Sequence, residues 1–84
     1  MAVKPKYDFE EVSGVAELAM GYLRELRDTG SLIPQRNSLV LRIKADLGLE
    51  LGLALAGVSQ METNNRQELS GMGYRFATEQ PRFS

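Results

Sequence analysis

The sequence predicts an α+β domain, one N-terminal amphipathic helix packed on a small antiparallel β-sheet. Three observations predict it. Residues 9–29 repeat apolar side chains at helical spacing. From Leu39 to Leu55 every odd position is apolar, which is the period of a strand. Met72, Tyr74 and Phe76 alternate with Gly71, Gly73 and Arg75, which suggests a third strand over 68–77.

The helix starts at Asp8. Glu11 lies three residues on, the spacing of a capping box. Glu10 and Glu11 suit the positive end of the helix dipole. Phe9, Val12, Val15, Ala16, Leu18, Ala19, Met20, Tyr22, Leu23 and Leu26 form one broad apolar arc, opposite Ser13, Glu17, Arg24, Glu25 and Asp28. Thr29-Gly30 ends it, with Gly30 as the left-handed residue. Pro34 forces the connection 30–37 out of helical geometry.

Residues 39–55 as one strand would run roughly 55 Å, too long for a small domain. The stretch is therefore expected to fold back at Asp46-Leu47-Gly48, giving a hairpin of strands 38–45 and 49–58 with Gly48 left-handed. This register pairs Ile43 with Leu51 and sets Lys44 opposite Glu50 and Arg42 over Gly52. Residues 57–67 read as a polar turn around Asn64-Asn65. The domain is expected to span 8–78, between a flexible arm (1–7) and a tail (79–84).

Composition narrows the function. The 84 residues hold neither cysteine nor histidine, so disulfides, thiolate metal sites and the commonest general base are excluded. The net charge of −1 gives no global attraction to nucleic acid or an acidic membrane. The most apolar window, 47–58, is too short to span a bilayer as a helix, and the N-terminus has no signal-peptide core, so a cytoplasmic location is the default. Glu10 and Glu11 are accounted for by capping, and no serine has a base at recognisable spacing. Gly71 and Gly73 form only a GxG, and there is no phosphate-binding loop. No enzyme, metal or cofactor is expected.

Two short stretches resemble DNA-binding regulators. Gly57-Val58-Ser59-Gln60 resembles the turn of a repressor-type helix-turn-helix, although Thr63 and Arg66 stand where the following helix would need apolar residues. Leu23-Arg24-Glu25-Leu26, Gly30 and Leu32-Ile33-Pro34 resemble the second helix and following turn of MerR-type regulators, without the helix that precedes them there. The resemblance implies a small nucleic-acid-binding transcriptional regulator as the alternative function. Separately, Arg24, Arg27, Arg36, Arg42 and Lys44 form a candidate basic cluster; Arg24 and Arg27 alternate with Glu25 and Asp28, and Arg24 is spaced to pair with Asp28, so a solvated, ion-paired face is the leading reading and phosphate contact the second.

The leading expectation is a non-enzymatic protein-protein interaction module. It would be a small accessory, assembly or inhibitor protein, of the kind phages and plasmids carry, acting on a larger partner. Self-association into a homo-oligomer is expected from the open sheet edge. The residues placed at the partner surface are Gly14, Gly21, Arg24, Arg27, Arg42, Lys44, Glu50 and Gly52. Gly14 and Gly21 lie one heptad apart on the polar side of the helix, where a second backbone would find close approach.

Overall fold

A computed structural model describes residues 7–76. It contains four helices: α1 (Phe9–Asp28), α2 (Arg36–Leu47), α3 (Leu51–Asn64) and α4 (Arg66–Gly71). Among the described residues there is no strand. The α+β class is thus overturned, and with it the hairpin 38–45/49–58 and the strand 68–77.

α1 matches its expected span to within a residue. Its C-terminus is a Schellman turn: Gly30 has φ +74°, the Ser31 amide donates to the Leu26 carbonyl at 2.8 Å and the Gly30 amide to Arg27 at 3.1 Å. Thr29 Oγ1 also donates to the Glu25 and Leu26 carbonyls. At the N-terminus Asp8 is the cap residue by backbone conformation, but its side chain makes no capping hydrogen bond.

The alternating stretch is a pair of helices joined at Gly48, which ends α2 in the left-handed conformation with φ +64°. The Leu49 amide closes onto the Lys44 carbonyl at 3.0 Å. In α2 the buried residues are Leu39, Val40 and Ile43, a helical face spaced i, i+1, i+4. Leu41, an odd position, points to solvent and Val40, an even one, is core. The odd-position alternation therefore did not mark a strand.

α3 explains why the periodicity misled. It touches α1, α2 and α4, and none of residues 52–62 is exposed. A helix covered on several sides has no reason to concentrate its leucines on one arc, so its 3.6-residue period vanishes from the sequence. Leu and Ala favour helix intrinsically, and here that propensity agrees with the fold while the apparent period of two does not.

The directions of the helices follow from their contacts. α1 and α3 lie side by side and parallel. Tyr7 meets Glu50 and Gly52 at one end, Val15 meets Gly57 midway, and Arg24 reaches Glu68 beyond the other end. α2 runs back along α3, its first residue Arg36 reaching Ser59 and Glu62. At Gly57 a Cβ atom would lie 2.2 Å from Val15 Cγ1 and 2.6 Å from Val15 Cβ. Glycine is what allows this approach.

α3 ends at Asn64, and Asn65 (φ −129°, ψ 34°) breaks the chain before α4, at the Asn64-Asn65 turn the sequence suggested. Residues 57–63, expected in that turn, are helical. After α4, Gly73 (φ +87°) turns the chain into the irregular segment 74–76. Tyr74 and Phe76 are both buried and meet edge to face, ring centroids 5.2 Å apart. The alternation of this segment was real, but it serves an unpaired strap over the core. The remainder of the expected strand, the expected tail and the expected arm apart from Tyr7 lie outside the described residues.

Two pairs of substitutions test this fold. Leu51→Asp should leave the domain folded, because Leu51 is 48% exposed, whereas Leu53→Asp, at 8%, should abolish cooperative urea unfolding. Gly57→Ala should destabilise by about 1–3 kcal/mol through overpacking on Val15. Gly14→Ala, in a helix with open space around the added carbon, should stabilise by up to about 1 kcal/mol in the same assay.

Candidate functional site

The polar groups gather in three places. The most buried is centred on Glu62, which is 8% exposed. Arg36 Nε donates to both carboxylate oxygens at 3.2 and 3.1 Å, and Arg36 Nη2 donates to Ser59 Oγ at 2.7 Å. Tyr74 Oη donates to Glu62 Oε2 at 2.6 Å. This cluster ties the start of α2, the end of α3 and the C-terminal strap to one carboxylate. Burial, reinforced by the adjacent Glu62 carboxylate, pushes the Tyr74 hydroxyl well above the usual tyrosine range. Each of these side chains is engaged with another, so the cluster clamps the elements together. Arg66 stacks over the Phe76 ring, 4.8 Å from its centroid, and helps to hold the same strap.

The second place is the end of α1. Arg24 donates through Nε and Nη2 to the two oxygens of Glu68 at 2.8 and 2.9 Å, a bidentate pair joining α1 to α4. Arg27 reaches the same carboxylate at 3.0 Å and Asp28 at 3.3 Å. Arg24 thus pairs with Glu68 on α4 and not with Asp28, four residues on in its own helix. The Arg24 hydrogen bond holds Glu68 below the usual carboxylate range, aided by Arg27. A depressed carboxylate stabilises the fold above its unfolded-state pKa of about 4, and that contribution is lost as pH falls through the lower folded value. These groups are solvent-accessible, so the effect is modest and screened by salt.

The third is the start of α3, where Glu50 accepts the Tyr7 hydroxyl at 2.8 Å. A Cβ on Gly52 would lie 2.6 Å from Tyr7 Oη. Glu50 and Gly52 thus seat Tyr7, and the expected Lys44–Glu50 pair across a hairpin does not form. Arg42 pairs with Asp46 along α2 at 3.0 Å and lies 5.7 Å from the centroid of the Tyr22 ring. Lys44 is half-buried and makes no ion pair among the described residues. An added Cβ at Gly14 or Gly21 would meet nothing within 4 Å among the described residues, outside its own stretch of helix.

The eight residues singled out in the sequence therefore do not converge. Arg24 and Arg27 brace α4, Arg42 and Lys44 lie on α2, Glu50 and Gly52 hold Tyr7, and Gly14 and Gly21 face outward. Sequence reasoning missed Glu62 as a hub and Tyr74 as its partner. Gly57-Val58-Ser59-Gln60 lies inside α3 and not in a turn, so the helix-turn-helix likeness loses its structural basis there.

A groove lies open between α1 and the α3–α4 junction. It encloses about 470 Å³ and is lined by Ser13, Ala16, Glu17, Met20, Arg24, Asn64 and Asn65. Among the described residues no group of three acidic, histidine or cysteine side chains is placed to hold a metal ion. No helix among them is long and apolar enough to cross a membrane. Comparison of the chain with family models, curated proteins and solved structures returns no match.

The Glu62 clamp makes two predictions. Arg36→Ala, which strands a buried carboxylate, should cost about 3–5 kcal/mol in chemical unfolding. Tyr74→Phe should cost about 1–3 kcal/mol at neutral pH. A raised tyrosine pKa stabilises the fold below its unfolded value of about 10, and that contribution is lost as pH rises above it. The native protein should therefore lose stability above about pH 10 by an increment that Tyr74→Phe lacks, measured by urea midpoints across alkaline pH.

Proposed function

We propose that this chain is a non-enzymatic protein-binding module that acts by docking onto a larger protein, with association between its own copies as a further mode. The observation that carries this reading is apolar surface left uncovered once the core is complete. Leu32 is 94% exposed, Leu41 61% and Leu18 56%. They lie on three consecutive segments: α1, the connection after it, and α2. Leu41 stands opposite the buried face of α2, and Leu18 lies between the outward-facing Gly14 and Gly21 of α1. Single exposed leucines are ordinary. Several large apolar side chains left out of the core, Phe9 at 74% exposed among them, favour a partner that covers them.

The nucleic-acid alternative has less behind it. Arg24, Arg27, Arg36 and Arg42 are each paired with a carboxylate. α3, the helix after the Gly48 turn, carries no lysine or arginine. Phosphate binding would have to compete with those pairs.

Replacing Leu18, Leu32 and Leu41 together by Ser tests the reading. The variant should keep its helical circular dichroism and its melting temperature to within a few degrees. It should lose self-association in sedimentation equilibrium or the capture of its partner from cells of the native host. Salt-sensitive binding of duplex DNA, lost on replacing Arg42 and Lys44 by Ala, would favour the regulator instead.

A further inference from the structure

The strap of residues 74–76 is held to the body mainly by two side chains. Tyr74 and Phe76 are 3% and 7% exposed, and Arg75 between them faces solvent. Tyr74 Oη donates to the buried carboxylate of Glu62, and the Phe76 ring meets Tyr74 edge to face and lies beneath the Arg66 guanidinium. With the strap in place, no buried side-chain nitrogen or oxygen among the described residues lacks a partner. The main chain contributes little. The Tyr74 amide donates to the Leu69 carbonyl at 3.0 Å, which closes the end of α4, and no other backbone hydrogen bond among the described residues ties the strap down. The body thus carries a seat that reads two aromatic side chains at i and i+2: a carboxylate for one hydroxyl and a guanidinium for one ring.

A glycine turn joins the strap to the body. Gly73 has φ +87°, and a Cβ there would meet nothing within 4 Å. The turn is held by its own conformation and not by packing around it. A change of φ at this one residue redirects the strap without displacing any core side chain.

We propose that the strap is exchangeable between copies: in a dimer, Tyr74 and Phe76 of each chain fill the seat of the other. Identity fixes the occupant. A second copy presents the same hydroxyl and the same ring at the same spacing, so each seat contact is recovered and only the hinge and the approach of the two bodies are new. Concentration sets the balance. A short tether holds the strap at an effective concentration on the order of millimolar, so the closed monomer prevails at micromolar protein and exchange grows toward millimolar. The proposal rests on the self-association included in the protein-binding reading, and names the segment and the seat that carry it.

Sedimentation equilibrium of the full chain, native and Gly73→Val, tests this between about 10 μM and about 1 mM. A β-branched residue is strained in the closed turn and not in an opened one, so Gly73→Val should dimerise at a concentration at least about tenfold below the native chain. Adding Tyr74→Ala and Phe76→Ala to Gly73→Val should return it to monomer. If Gly73→Val does not fold, the native chain decides. In an equimolar mixture of isotopically labelled and unlabelled chain at about 1 mM, filtered nuclear Overhauser contacts should join the Phe76 ring of one chain to Arg66 of another. A folded Gly73→Val that associates no more than the native chain, or a dimer in which Phe76 meets only the Arg66 of its own chain, would overturn the exchange. A dimer that survives loss of the two aromatics, and is lost instead on replacing Leu18, Leu32 and Leu41 by Ser, would overturn it while leaving the protein-binding reading intact. A chain that stays monomeric at about 1 mM and captures no protein would overturn both.

Discussion

Gly57 is the point on which this fold depends. It lies where α3 packs against α1, and the space a side chain would need is filled by Val15. The small side chains of Ala16, Ala19 and Ala54, all buried, accompany it. Helices that approach so closely bring more side chains from their flanks into contact, and close packing is how a short chain gains enough burial to stay folded. α3 is thereby drawn into the centre, with α1, α2 and α4 around it. Everything else follows from keeping that central helix covered.

Two carboxylates then fix the outer elements against the centre. Glu62 collects α2 through Arg36 and the C-terminal strap through Tyr74. Glu68 anchors α4 to α1 through Arg24 and Arg27. The two differ in energetics. The Glu62 cluster is removed from water, so loss of one member leaves another buried and unpaired. The Glu68 group is open to solvent, and its worth is more in orientation than in stability. These contacts engage three of the seven arginines, Arg24, Arg27 and Arg36.

The local rules were legible in the sequence and the long-range ones were not. α1 was readable because it buries one face only. The left-handed Gly30 was readable because a glycine after a helical run has few other uses, and the Asn64-Asn65 break fell where asparagines cluster. Gly48 was legible as left-handed but not as a helix end, because a three-residue hairpin and a helix C-terminus both require its positive φ. The α3 segment was opaque because a surrounded helix loses the period that identifies it. The groove was opaque too, since it joins residues 13–24 to 64–65. The pairs Arg36–Glu62 and Arg24–Glu68 leave no local trace, as each joins residues far apart in the chain.

The central claim is that α3 is a helix enclosed by the other three. Residue-resolved amide hydrogen exchange tests it most directly. An enclosed helix opens only when the whole domain unfolds, so the slowest-exchanging amides should run continuously through Ala54–Met61, ahead of those in α1 and α2. Protection that alternates along 39–55, as in a hairpin, or an α3 that exchanges faster than α1, would contradict the account.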